Sequence, residues 1–88
     1  MKIVIYGKDA CSDCDKAKML CRIQSLDFEY HELDEDDALA RLSARIGAPV
    51  RRVPQVFVER AGTQEYVGGY EELRLALMPT AQGLTARG

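Results

Sequence analysis

Apolar and polar positions alternate in blocks along this chain, and the blocks change period. Lys2 to Tyr6 is a short β-branched run followed by Gly7, which reads as a buried strand with a turn after it. Ser12 to about Ser25 is rich in Lys, Ala, Met, Leu and Arg, with Ala17, Leu20, Cys21 and Ile23 at helical spacing, so a helix is predicted there. Phe28 to Leu33 alternates aromatic and polar residues as a half-exposed strand does. The acidic run Asp34-Glu35-Asp36-Asp37 then suits a helix start. Carboxylates favour the positive end of the macrodipole, Leu39, Leu42 and Ile46 form an inner stripe, Arg41 and Arg45 fall toward the other end, and Gly47 and Pro49 stop the helix. Pro54 to Glu59 is a second apolar strand with Pro54 at its start, Ala61-Gly62-Thr63 a hairpin turn, and Gln64 to Val67 the returning strand. Gly68-Gly69 break the chain before a last helix, Tyr70 to about Leu77, with Leu73 and Leu77 inside.

The predicted order is β-α-β-α-β-β-α in one α/β domain over residues 1–78, with 79–88 a loose tail. A crossover helix between the first two strands favours a parallel pair there and a hairpin later. No internal repeat or low-complexity segment interrupts it.

Composition narrows the function classes. Eighty-eight residues, 47% hydrophobic and 30% charged, fit one small globular core rather than a disordered or fibrous chain. A net charge of -2 is too balanced for a general nucleic-acid or anionic-membrane binder, so neither partner is expected. No apolar run approaches the roughly 18 residues of a membrane span, and Met1-Lys2 leads into Ile3-Val4-Ile5 without signal-peptide architecture, so a cytoplasmic location is expected. Three cysteines are too few, and odd in number, for a disulfide scaffold. Two of them form Cys11-Ser12-Asp13-Cys14, which in a reducing compartment points to chemistry or metal.

A Cys-x-x-Cys at the mouth of a helix places the first sulfur where unpaired backbone N–H groups and the dipole stabilise a thiolate. Cys11 is the candidate nucleophile, and Cys14, one turn in, the candidate resolving thiol that displaces product from a mixed disulfide. Asp13 and Asp15 oppose ionisation of Cys11 while Lys8, Lys16 and Lys18 assist it. Structural zinc needs four ligands, and Cys21 and His31 lack the spacing to complete a tetrahedron, so no metal site is expected. Cys21 reads as core, His31 as a polar residue on a half-exposed strand.

Three separated stretches resemble the glutaredoxin family: Tyr6-Gly7-Lys8-Asp9-Ala10-Cys11-Ser12-Asp13-Cys14, Arg52-Val53-Pro54-Gln55-Val56-Phe57-Val58, and Gly68-Gly69-Tyr70-Glu71-Glu72-Leu73. The match spans Lys2 to about Leu77. It implies a thioredoxin fold, a four-stranded mixed sheet flanked by three helices, and a monomer with no bound cofactor that uses glutathione as co-substrate. It implies a cis bond before Pro54, which costs only about 0.5 to 1 kcal/mol at X-Pro and would turn the Val53 backbone toward Cys11 to pair with an extended peptide. Gly69, Tyr70, Glu71 and Glu72 would then receive the γ-glutamyl end, with N–H groups for its carboxylate and Glu72 for its ammonium. Lys8 would meet the glycyl carboxylate or steady the thiolate.

The sequence departs from the family at Ser12 and Asp13, where Pro and an aromatic usually stand, at Arg52, where Thr is usual, and at Glu71, where a small hydroxyl residue often stands. Asp13 adds negative charge near an anionic tripeptide, and Arg51 and Arg52 either offset it or recognise an acidic protein partner. The leading reading is a glutathione-dependent thiol-disulfide oxidoreductase acting on protein disulfides or glutathione mixed disulfides. A second is a glutaredoxin-like thioredoxin reduced by a flavoprotein reductase and supplying a reductive enzyme such as ribonucleotide reductase. A third, resting on Ser12 alone, is a dimer bridging an iron-sulfur cluster.

Overall fold

The computed structural model describes residues 1–33 and 36–78. The predicted tail, and Asp34 and Glu35 of the acidic run, lie outside them. The elements follow the predicted order: β1 Lys2–Gly7, α1 Ser12–Ile23, β2 Asp27–Glu32, α2 Asp36–Ile46, β3 Gln55–Arg60, β4 Thr63–Gly68 and α3 Tyr70–Leu77. They build one mixed sheet in the order β2-β1-β3-β4. β1 and β2 run parallel, as the α1 crossover requires, while β3 is antiparallel to both β1 and β4.

β1 is central, and its side chains point alternately to two cores. Ile3 and Ile5 face α1 and α3, where they meet Ala17, Cys21, Val56, Val58 and Leu73. Val4 faces the other way and packs with Phe57, Leu33 and Leu42 beneath α2. Leu73 is wholly buried, which stabilises the docking of α3 by about 2 to 3 kcal/mol.

Most element boundaries fall within a residue or two of the sequence pattern, with three differences. β2 ends at Glu32, and Leu33 turns into the α2 core. α1 closes at Ile23, with Ser25 in the left-handed region (φ 56°), and Ile23 lies outside, 72% exposed. At about 100° per residue Ile23 sits roughly 200° round the helix from Cys21, and the buried residues of α1 are Cys14, Ala17 and Cys21. The hairpin turn is Ala61-Gly62 alone, both at positive φ (52° and 81°), and Thr63 already pairs with Arg60. Two left-handed residues match the twist of the flanking strands.

No helix among the described residues is long and apolar enough to cross a membrane.

Candidate active site around Cys11

The ends of β1 and β3 converge with the start of α1 at one rim of the sheet. Cys11 has extended backbone (φ -114°, ψ 110°) and caps α1, its Sγ accepting the Cys14 N–H at 3.2 Å. The sulfur thus takes the place a Ser or Asp oxygen holds in an ordinary cap, with the positive end of α1 directed at it. It lies 3.7 Å from the Val53 carbonyl oxygen, and the Val53–Pro54 bond is cis. Ser12 and Asp13 are exposed on the first turn, and Asp13 is 3.6 Å from Lys16.

Cys14 is wholly buried behind Cys11. Burial pushes its thiol from 9.0 up to about 11, and the hydrogen bond and charge of Cys11 add to the rise. The backbone of Lys8 and the hydroxyl of Tyr30 pull the other way. Tyr30 also donates to the Lys8 carbonyl at 3.3 Å, and burial drives its own phenol pKa upward. The three cysteines carry free thiols, and Cys21 is buried in the α1 core as expected.

Beyond Val53 a cleft of about 320 Å³ runs from Asp13 past Arg52, Val53 and Pro54 to Gly69, Tyr70, Glu71 and Glu72. Eight of the residues singled out in the sequence therefore border one hollow. Lys8 does not border it. It is exposed on the opposite side of Val53, in a smaller hollow that also bears Arg51 and Arg52. At α3 the Glu72 carboxylate folds back to accept the Gly69 N–H at 2.7 Å, capping its own helix instead of extending into the cleft. Arg74 holds Glu71 through Nε at 3.1 Å, which lowers the Glu71 carboxyl below its usual range.

Sequence reasoning missed three residues here. Gln55, buried in β3, donates to the Arg52 carbonyl at 2.8 Å and so fixes the loop that presents Val53. Tyr66 of β4 donates its hydroxyl to the Gln55 amide oxygen. A glutamine opening the apolar run Val56-Phe57-Val58 was the available signal, since a buried amide needs partners. Tyr30 gave no signal, because its contact with the cysteines depends on the β1–β2 register. Among the described residues no group of three or more His, Cys, Asp or Glu is arranged to hold a metal ion.

A mixed sheet of this order, with a dithiol at the mouth of α1 facing the carbonyl before a cis-proline, defines a thioredoxin-fold protein whose chemistry is thiol-disulfide exchange. The glutaredoxin family model matches residues 3–61, and the chain belongs to the glutaredoxin family of thiol-disulfide oxidoreductases. It is 36% identical to glutaredoxin 1 of Escherichia coli over 78 residues, covering 82% of this chain and 87% of the relative. With the glutaredoxin of Haemophilus influenzae the identity is 33% over 92 residues, covering 98% and 100%. Oxidised Escherichia coli glutaredoxin superposes with a TM-score of 0.71 at 26% identity (94% of this chain, 100% of that one). A buckwheat glutaredoxin–glutathione complex does so at 0.66 and 27% (83% and 64%). The glutaredoxin-like NrdH-redoxin of Escherichia coli, described as having a thioredoxin-like activity profile, shares the fold at 0.64 and 23% (91% and 99%).

Proposed function

We propose that this oxidoreductase is glutathione-dependent and cycles between a Cys11/Cys14 dithiol and its disulfide in the cytoplasm. The observation that carries this reading is the placement of Cys11 Sγ 3.7 Å from the carbonyl of Val53, a residue that also borders the cleft ending on Gly69 and the start of α3. A peptide laid along Val53 pairs through its backbone and brings a cysteine sulfur to Cys11.

The cycle balances with these residues alone. The Cys11 thiolate attacks a substrate disulfide, one sulfur leaves as a thiolate that takes up a proton, and Cys11 is held in a mixed disulfide. Cys14 loses its proton and attacks Cys11, releasing the second substrate thiol and closing the Cys11–Cys14 disulfide. Two glutathione molecules reverse this, the first forming a mixed disulfide and the second leaving with it as oxidised glutathione. For a glutathione mixed disulfide Cys11 alone suffices, since a second glutathione attacks the adduct. Lys8 and Arg52 supply positive charge near the reacting sulfurs; Ser12, Asp13 and Glu71 modulate affinity.

A second reading has its own observation. Asp13, Glu71 and Glu72 border the cleft against Arg52 as its one cation, and Glu72 already holds the Gly69 N–H. Both features disfavour an anionic tripeptide and favour a thioredoxin-like redoxin reduced by a flavoprotein reductase, with ribonucleotide reductase as one class of client. Glutathione-dependent reduction of a glutathione mixed disulfide separates the two. Activity kept in Cys14→Ser and lost in Cys11→Ser supports the first reading. Wild-type protein inactive with glutathione but rapidly reduced by a thioredoxin reductase supports the second.

A further inference from the structure

The hollows on the two sides of Val53 differ in charge. Lys8, Arg51 and Arg52 border the one before Val53, with no carboxylate among its lining residues. Asp13, Glu71 and Glu72 border the cleft beyond it, which shares Arg52 and Val53 with the first hollow. Cys11 lines neither hollow, but its sulfur is 3.7 Å from the oxygen of Val53, which lines both. Among the described residues no salt bridge engages Lys8, Arg51 or Arg52, although Asp9 and Glu32 border Lys8 on its far side. Asp13 and Glu71 each have a cation three residues on, Lys16 and Arg74, both exposed pairs that leave most of the carboxylate field facing water.

We propose that this two-signed groove selects protein disulfides by flanking charge, preferring a cysteine preceded by basic residues and followed by acidic ones. The direction follows from strand pairing. A segment that pairs through its backbone at Val53 alone, in the more stable antiparallel sense, runs opposite to the chain there, so the residues after its cysteine lie toward Arg52 and Arg51, which precede Val53 in a stretch outside the strands. The residues before it then lie against Asp13, Glu71 and Glu72. Complementary charge at such exposed lips acts on encounter and register more than on the bond-making step. Each matched lip is expected to raise the rate about three-fold, and both together about ten-fold.

This inference rests on the dithiol cycle but not on glutathione, so the test uses the reduced 88-residue chain as a stoichiometric reagent. Its substrates are homodisulfides of end-blocked peptides carrying Lys-Lys-Cys-Glu-Glu, Ser-Ser-Cys-Ser-Ser or Glu-Glu-Cys-Lys-Lys. Each turnover oxidises one Cys11/Cys14 dithiol and releases two peptide thiols, which chromatography counts. The expected result at low ionic strength is that Lys-Lys-Cys-Glu-Glu reacts about ten times faster than the serine peptide and the reversed peptide slowest, with the spread collapsing near 0.5 M salt. In Arg51→Glu the advantage over the serine peptide should fall to about three-fold, read as a ratio so that a general loss of rate does not enter. Equal rates for the three peptides, or a preference for the reversed one, overturn the inference and leave the dithiol cycle standing. Failure to reduce even the serine peptide removes the cycle and this inference with it.

Discussion

Gly7 is the point at which one methyl group should disturb both the fold and the dithiol. It ends β1, pairs with Glu32 and accepts the Leu33 N–H at 2.8 Å, so its backbone cannot shift without loosening the parallel pair. A Cβ built there lies 2.5 Å from the Tyr30 hydroxyl oxygen, 2.7 Å from Cys14 Sγ and 3.1 Å from Tyr30 Cε1. A rigid ring and a sulfur two bonds from the α1 backbone have little room to yield. Overpacking of this kind costs about 1 to 3 kcal/mol, and for a domain of this size about 2 kcal/mol lowers Tm by roughly 8 to 16 °C. Thermal unfolding of reduced Gly7→Ala followed by circular dichroism tests the magnitude. The rate at which Cys14 closes on a preformed Cys11 mixed disulfide tests the site, and it should fall because the displaced sulfur is Cys14. Gly47→Ala is the control. Its Cβ would meet nothing within 4 Å, but its φ of 85° disfavours a side chain, so it should cost about 1 kcal/mol and leave disulfide closure unchanged. Gly7→Ala as stable as wild type within about 0.5 kcal/mol, with normal closure, would refute the reasoning.

Three further outcomes follow from packing and ionisation. Leu73→Ala should lose about 2 to 5 kcal/mol in urea denaturation, whereas Leu75→Ala, 55% exposed on the same helix, should stay within about 0.5 kcal/mol. Iodoacetamide at pH 7 should label Cys11 alone, as read by peptide mass, because Cys14 is buried and its thiol is pushed up to about 11; modification of Cys14 in the folded protein would contradict this. The raised Cys14 value also sets an alkaline stability slope. The folded state holds the thiol proton more tightly than the unfolded one, so this contribution is complete below pH 9.0 and lost as pH rises toward about 11. The urea midpoint of the reduced protein should fall over that window, and Cys14→Ser should fall less steeply.

The legible parts of this molecule were those that local pattern controls. The run Ile3-Val4-Ile5 announced a strand buried on both faces, the Gly68-Gly69 break announced α3, and the cysteine spacing placed both sulfurs at the first turn of α1. What stayed hidden depends on register or on rotamer. Tyr30 reaches Cys14 only because β2 aligns Tyr30 with Ile5 and so brings its ring past Gly7. Glu72 was assigned to a ligand's ammonium, yet an unpaired N–H three residues earlier on its own chain was nearer. Ile23 was counted with the apolar positions of α1, but helix phase turns it to solvent. Arg45 illustrates the same limit: placed by the pattern toward the C-terminal end of α2, it lies 4.1 Å over the Phe57 ring and donates to the Tyr6 hydroxyl at 3.2 Å, bridging α2 to the sheet.

The central position of β1 has a consequence for how the chain reaches this state. β1 finds one neighbour, β2, about 25 residues on, but pairs on its other side with β3 across a separation as long as that between Lys2 and Glu59. Closing that long loop costs entropy before its contacts repay it, so the β1–β3 pairing should be the slow event of folding. During synthesis the segment through α2 emerges first and carries β1 with one apolar edge unpaired, a template for another chain until β3 arrives. Assembly of the rim beneath Cys11 waits on the same event, since Val53 and Gln55 reach the cysteines only when β3 docks.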